Sequence, residues 1–359
     1  MPKISILCPT FNHGAYVEGF MASVLEQTEG DFELIMVDDG SGDDNVARIK
    51  KFDDPRIRLI EHDYNRGVNQ ALNTAFAASS GLYCVFIASD DRLRADHLAL
   101  ASGCLEANPE ILAYYPTLRT MAPNGDPADE FQPLYLNPER LLPRYELLKG
   151  LFLRGNLLTS PGMTIRREAF ERLLYPLDPS LLNYQDYAMH VRLLLDGPIY
   201  VGEERSVLYR LPSGVSGVSH QTPAAKMREE MEEEPLMNLF LNMEPETLKM
   251  IFEAELSGLG RPSAETVPYL LGRLALTSPS PAKRRWGYRT IGKIIRRPGG
   301  LDRLHETCGL TFGDYIGLVP VPAPLKDYAA GRRKYKKLFN GLLLLNIIML
   351  AAFLINRYL

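Results

Sequence analysis

Leu82-Tyr83-Cys84-Val85-Phe86-Ile87-Ala88-Ser89-Asp90-Asp91 is the stretch on which the fold and the chemistry turn. It is rich in β-branched and aromatic side chains, starts after Gly81 and ends in charge, the pattern of a buried strand. Two adjacent carboxylates at its carboxyl end are poorly placed for packing. They are well placed to hold a hard divalent cation, because magnesium and manganese prefer oxygen ligands. In open α/β sheets, ligands bind outside the carboxyl ends of the strands. The competing reading is a strand-to-helix turn, with Asp91 as an N-cap ahead of a helix over Leu93–Asn108. On this stretch alone the two readings stand level.

Working outward, Phe32-Glu33-Leu34-Ile35-Met36-Val37 predicts another short strand, followed by Asp38-Asp39-Gly40-Ser41-Gly42. Ile4-Ser5-Ile6-Leu7-Cys8 predicts the first strand, ending in Pro9-Thr10-Phe11-Asn12. A helix is expected from Tyr16 to Gln27, with Val17, Phe20, Val24 and Leu25 on one face. Ile57–Glu61 predicts a shorter strand leading into Asn65-Arg66-Gly67 and then a helix through Asn69–Ala78. The order β-α-β-α-β-α-β implies an α/β fold with a mainly parallel central sheet and right-handed crossovers. Three strand ends carrying Pro-Thr-Phe-Asn, Asp-Asp-Gly-Ser and Ser-Asp-Asp would then line one edge. Such convergence is what a nucleotide and metal site needs.

These motifs, with Gly81 and a later Gln185-Asp186-Tyr187, resemble the family 2 glycosyltransferases of the GT-A nucleotide-sugar-binding fold. The resemblance covers residues 1–220, and it rests on order and spacing together. It implies that Pro9, Thr10 and the Asp-Asp-Gly-Ser turn meet the nucleotide base and ribose. It places Asp39 on the uracil, Asp90 near the ribose, and Asp91 as the protein ligand of a Mg2+ or Mn2+ ion bridging the diphosphate. Arg66 is a further carry-over, with a solvated loop position as its alternative. Many relatives place another Asp two positions before the final pair, where this chain has Ala88.

The resemblance also implies a catalytic base in the later half. Asn156–Ile165 reads as a turn and a strand returning to the sheet. Asn183-Tyr184-Gln185-Asp186-Tyr187 precedes a helical pattern over Ala188–Leu195, with Met189, Val191, Leu193 and Leu194 apolar. The family places an acidic pair there whose Asp deprotonates the acceptor hydroxyl, which makes Asp186 the base; Gln185 departs from the usual Glu. The alternative for Asp186 is a first-turn carboxylate facing the helix dipole. Tyr209-Arg210-Leu211-Pro212-Ser213-Gly214-Val215-Ser216 resembles the family's closing loop, with Arg210 on phosphate. His220 is carried over to the diphosphate or metal, with solvation as its alternative.

Three acidic groups match the chemistry implied. Breaking an anomeric carbon–oxygen bond leaves a diphosphate whose charge a metal neutralises as a Lewis acid. A carboxylate on the opposite face of the sugar takes the acceptor's proton. Opposite sides imply in-line displacement with inversion. The expected partners are therefore a nucleotide-sugar donor, probed first as a UDP-sugar, and a glycan or lipid-linked acceptor for surface polysaccharide. The alternative is a catalytically weak nucleotide- or glycan-binding module tethering a polysaccharide assembly, which the Ala88 and Gln185 departures leave open.

Composition narrows the remaining classes. The chain has 359 residues, with 40 basic against 44 acidic, which argues against a nucleic-acid binder defined by overall charge. Cys8, Cys84, Cys104 and Cys308 lack Cys-x-x-Cys spacing, so reduced thiols are expected. No Gly-x-Gly-x-x-Gly fingerprint or phosphate loop is present. The expected organisation is a glycosyltransferase domain over 1–220, a helical region over 221–330, and a basic stretch with an apolar C-terminal helix over 331–359. Arg228–Glu234 reads as a solvated face or linker, and Lys283–Arg297 as a basic segment suited to an anionic membrane surface or to an ordinary exposed helix. Leu338–Ile355 is uncharged and near the short end of the about 17–25 residues that span a bilayer. Arg332-Arg333-Lys334 and Lys336-Lys337 precede it, so the expected location is the cytoplasmic side of a membrane. A pairing segment that makes a homodimer is the alternative. The first residues enter a strand at once, which agrees with a cytoplasmic catalytic domain.

Overall fold

The apolar runs form strands where they are bounded by turns: β1 (Ile4–Thr10), β2 (Phe32–Asp38), β3 (Ile57–Glu61) and β4 (Tyr83–Phe86). The computed structural model describes residues 1–122, 124–126, 143–211 and 222–318. Helices α1 (Gly14–Leu25), α2 (Asn45–Ile49) and α3 (Val68–Ala77) carry the chain between these strands. β1 lies between β2 and β4, and all pairings from β3 to β4 are parallel. β1, β2 and β4 are buried almost throughout, which is why they read as continuous apolar runs and not as alternating ones. Ile6, Met36 and Val85 from these strands meet Val17, Phe20 and Val24 of α1 in the core.

The later half runs β5 (Arg92–Leu93), α4 (His97–Ala107), β6 (Ala113–Met121), α5 (Arg144–Leu153), β7 (Met163–Arg166), α6 (Arg167–Leu173), α7 (Gln185–Asp196) and β8 (Ile199–Arg210). The sheet order is β3-β2-β1-β4-β7-β6-β8-β5. β7 is antiparallel to β4 and to β6, β6 and β8 are parallel, and β5 is antiparallel to β8. The sheet is thus mixed, and the expected parallel arrangement holds for its first four strands. The cause is local: β7 begins beside the carboxyl end of β4, with Phe86 opposite Met163, and must run back. The helix expected over Leu93–Asn108 starts later, at His97, because Arg92 and Leu93 are taken by β8.

The region after β8 is helical, as expected: α8 (Pro223–Leu236), a 3-10 turn (Met237–Asn242), α9 (Pro245–Phe252), α10 (Val267–Ala275), α11 (Pro281–Ile295) and α12 (Gly300–Cys308). Residues 1–309 make one compact unit. Two expectations are corrected here. The acidic run is not a solvated linker, since Glu232 and Glu233 are buried. The basic run of α11 faces α8: Arg285 pairs with Glu230 at 2.9 Å and Glu234 at 3.1 Å, and Arg289 pairs with Glu234. Lys283 is fully buried, donating to the end carbonyls of α5 at Leu151 (2.9 Å) and Phe152 (2.7 Å) and lying 3.5 Å from Glu233. The glycines of α11 permit this packing: a Cβ on Gly287 would sit 2.5 Å from the Gly272 carbonyl of α10. All four cysteines are free thiols.

The second unit, Leu310–Leu359, contains α13 (Phe312–Gly317), which opens on a reciprocal cap between Thr311 and Asp314. Among the described residues no helix is long and apolar enough to cross a membrane. The basic stretch and the apolar run at 338–355 lie outside the described residues, as do His220 and most of the expected closing loop.

Candidate active site

The first two strand ends are joined by side chains before any ligand is considered. Asn45 donates Nδ2 to Asp38 Oδ1 (2.7 Å) and Thr10 Oγ1 (3.0 Å), and Ser89 donates to the same Thr10 oxygen at 2.6 Å. Thr10, Asp38, Asn45 and Ser89 are all buried, so this network satisfies groups that would otherwise be costly. Asn12 takes a left-handed φ of 54°; its Oδ1 accepts from Gly42 N and its own N–H donates to the Ser41 hydroxyl oxygen, each at 2.8 Å. Gly40, at φ 75°, is required by close approach, since a Cβ there would meet the Tyr64 backbone at 2.7 Å.

Asp39 is buried and organises the third strand's loop. Its Oδ1 accepts from Arg66 N (2.9 Å) and faces His62 Nδ1 (2.7 Å), and Oδ2 accepts from Gly67 N (2.8 Å). His62 is held from behind by Thr74 at 3.0 Å. A carboxylate offers about four lone-pair directions, so Asp39 keeps one acceptor direction beyond these three contacts. Arg66 itself is exposed, its guanidinium 5.0 Å above the exposed Tyr64 ring. Pro9 is part of β1, opposite Val37.

Asp91 is buried, and its Oδ1 accepts from Arg210 N at 2.8 Å. It therefore ties β8 to the end of β4, and the helix-cap reading of Asp91 fails: the cap position of α4 belongs to Asp96. Burial, then the charge of neighbouring Asp90, push the Asp91 carboxyl well above its ordinary pKa. Asp90 is about one-third exposed, and its Oδ1 lies 3.9 Å from His13 Nδ1. Arg210 donates Nε to the Asp90 carbonyl (2.8 Å) and lies over the Tyr16 ring at 4.5 Å. Burial and the nearby Arg92 lower its pKa, so two guanidiniums flank the acidic step. A crowded carboxylate pair is electrostatically suited to a divalent cation. Among the described residues no group of three or more His, Cys, Asp or Glu is arranged to hold a metal. The protein would then contribute Asp91, with remaining oxygens from donor phosphates and water, as magnesium prefers.

Asp186 sits in the first turn of α7. Its Oδ1 accepts the Tyr187 N–H at 2.8 Å, so the helix-terminus role is real. Its Oδ2 accepts from Asn156 Nδ2 at 2.9 Å and lies 3.9 Å from His190 Nε2. The side chain is 24% exposed, which leaves the carboxyl reachable from outside, while dense protein behind it raises the pKa to about 6. Three backbone N–H groups just before α7, at Leu182 (3.1 Å), Asn183 (2.8 Å) and Tyr184 (2.9 Å), donate to buried Glu232 of α8.

One loop joins the two acidic centres. Residues 154–162 leave α5, bond Asp186 through Asn156, and reach β4 through Gly162 N, which donates to the Phe86 carbonyl at 2.7 Å. The sequence did not single out Asn45, His62, Asn156 or Glu232 as site residues. For Glu232 a signal existed: Ala225, Glu232 and Leu236 share helical spacing, so periodicity puts it on the buried face despite its acidic neighbours. The single amides and hydroxyls carry no such signal.

Comparison with known proteins bears on the family and the fold. Residues 5–174 match the family model described as "Glycosyl transferase family 2". An Escherichia coli UDP-Glc:alpha-D-GlcNAc-diphosphoundecaprenol beta-1,3-glucosyltransferase is 36% identical over 88 residues, 24% of this chain and 35% of the relative. A PGL/p-HBAD biosynthesis glycosyltransferase from Mycobacterium bovis is 37% identical over 118 residues, 32% of this chain and 46% of the relative. The matches thus span about a third to a half of these relatives' lengths. Among solved structures, S. aureus TarS 1–349 in complex with UDP-GlcNAc is similar at a TM-score of 0.53 and 17% identity, covering 81% of this chain and 83% of that one. That likeness concerns the fold. With strand ends, acidic step and family match in agreement, the chain carries a family 2 glycosyltransferase domain of the GT-A fold over residues 5–174.

Proposed function

We propose that the protein transfers a sugar from a nucleotide-diphospho-sugar, of the UDP class, to a hydroxyl of a glycan or lipid-linked acceptor, with inversion. The observation that carries this reading is the 154–162 loop, which fastens the strand end bearing Asp90-Asp91 to the helix turn bearing Asp186. The relatives support the donor class: one is named for UDP-Glc and a diphosphoundecaprenol acceptor, and TarS is described with UDP-GlcNAc. A Pyrobaculum calidifontis mannosyltransferase of similar fold is described with GDP-Man and Mn2+.

In this reading Pro9, Thr10 and Asp39 shape the base pocket, Asp90 orients the ribose, and Arg66 and Arg210 face the diphosphate. Asp91 would hold a Mg2+ or Mn2+ ion, whose contribution when bound is to neutralise the leaving diphosphate. Asp186 takes the acceptor proton as the new carbon–oxygen bond forms. Attachment to the cytoplasmic face of a membrane through residues 331–359 remains part of the proposal. A screen of nucleotide-sugars for metal-dependent UDP release, with and without glycan acceptors, tests it. Release with one UDP-sugar supports transfer; tight UDP binding with no turnover under any pairing favours the tethering module.

A further inference from the structure

His190 lies fully buried one helical turn beyond Asp186. Two contacts orient it. The Tyr115 hydroxyl of β6 lies 2.8 Å from His190 Nδ1, with the two rings edge to face at 5.3 Å. Nε2 lies 3.9 Å from Asp186 Oδ2 and makes no hydrogen bond of good geometry among the described residues. Burial, with the Asp186 charge, raises the Tyr115 pKa well above its ordinary value, so that phenol keeps its proton and can donate to Nδ1. A neutral imidazole accepting at Nδ1 carries its hydrogen on Nε2. That hydrogen is on the Asp186 side of the ring, and the Leu158 backbone also lies close to the imidazole.

We propose that His190, oriented by Tyr115, is a positioning residue for Asp186, presenting an Nε2–H to carboxylate oxygen Oδ2 from the protein interior. This rests on the reading of Asp186 as the base. With Asn156 and His190 directed at Oδ2, the oxygen Oδ1 keeps a lone pair for the acceptor's proton. The acceptor O–H bond breaks, its proton moves to Oδ1 and the acceptor oxygen's electron pair forms the new bond to the anomeric carbon, while the anomeric carbon–oxygen bond to the diphosphate breaks and its electron pair leaves with the diphosphate. His190 moves no proton; burial holds its pKa down to about 3. The 3.9 Å separation is beyond hydrogen-bond range, and such contacts often tighten only with substrate bound. The groups facing the pair are the Tyr115 and Tyr184 phenols, the Asn156 amide and the Leu158 backbone, none of them charged at neutral pH.

The test uses the full chain with 15N-labelled histidine, whose six imidazoles are separated by ring nitrogen chemical shift. His190 is expected neutral, as the Nε2–H tautomer, from pH 5.5 to 8 on the order of the window set by ordinary histidine titration. Its ring nitrogens should shift as Asp186 ionises near pH 6, and that shift should vanish in Asp186→Asn. An Nδ1–H tautomer, or ring nitrogens indifferent to Asp186, overturns the proposal. With the donor identified by the screen, His190→Leu should move the acid limb of transfer up by about one pH unit, and His190→Gln, which keeps a donor, should restore it. Tyr115→Phe serves where His190→Leu fails to fold, and an unmoved limb overturns the proposal. Normal transfer by Asp186→Asn, with the pH-dependent ring-nitrogen shift present in the parent, would instead sink the base assignment, so the two failures read apart.

Discussion

Asp91 and Asp186 are both enclosed carboxyls with raised pKa values, yet their surroundings differ in kind. Asp91 has a second carboxylate beside it and two guanidiniums nearby, so its environment is one of concentrated charge. Asp186 is surrounded by neutral groups and is displaced by burial alone, against three hydrogen bonds that lower it. A crowded acidic pair calls for a cation; an isolated carboxyl poised near pH 6 calls for a proton. Environments that push carboxyls into different roles separate electrostatic and acid–base work within one site.

Breaking the Asp91 side of this comparison has the largest expected effect. Asp91→Asn should lower transfer by about a thousandfold and abolish the response to Mn2+, because a Lewis acid on the leaving group is worth several kcal/mol. Unchanged metal dependence in a titration of that variant would remove Asp91 from the ligand set. A smaller effect concerns stability. The folded Asp186 pKa of about 6 exceeds the ordinary 3.8, so stability is lost as pH rises from about 4 to about 6. Asp186→Asn escapes that loss and should be about 1–3 kcal/mol more stable than the parent at pH 7, with no advantage at pH 3.5. Urea denaturation at both pH values checks the sign. Smallest is the control far from both carboxyls: Arg289→Ala, an exposed partner of Glu234, should cost less than about 1 kcal/mol and leave transfer unchanged. A large loss of transfer there would show that general destabilisation, and not local chemistry, explains the other variants.

Much of the site was legible because strand ends announce themselves. β1, β2 and β4 are apolar on both faces, so their boundaries fall where charge and glycine begin, and those boundaries carry the candidate site. The second half was harder. Antiparallel β7 follows from where loop 154–162 delivers the chain, and no local pattern in Met163–Arg166 encodes that direction. The two charged runs misled for a different reason. Arg228–Glu234 and Lys283–Arg297 look solvated or membrane-facing when read singly, but each is largely the other's counter-charge across α8 and α11. Charge patterning within one segment does not show a partner fifty residues away. Asn156 illustrates the limit further: one amide in a loop donates to Asp186, and nothing in its neighbourhood marks it.

The most direct measurement is UDP release from the donor identified by screening, compared between the parent and Asp186→Asn at pH 7.5, alongside UDP affinity for both. Loss of transfer by about 10²–10⁴-fold with UDP affinity unchanged is the expected result, since a positioned base contributes on that scale. Near-normal transfer by Asp186→Asn would contradict the assignment of two chemically distinct carboxyl centres to one transfer reaction.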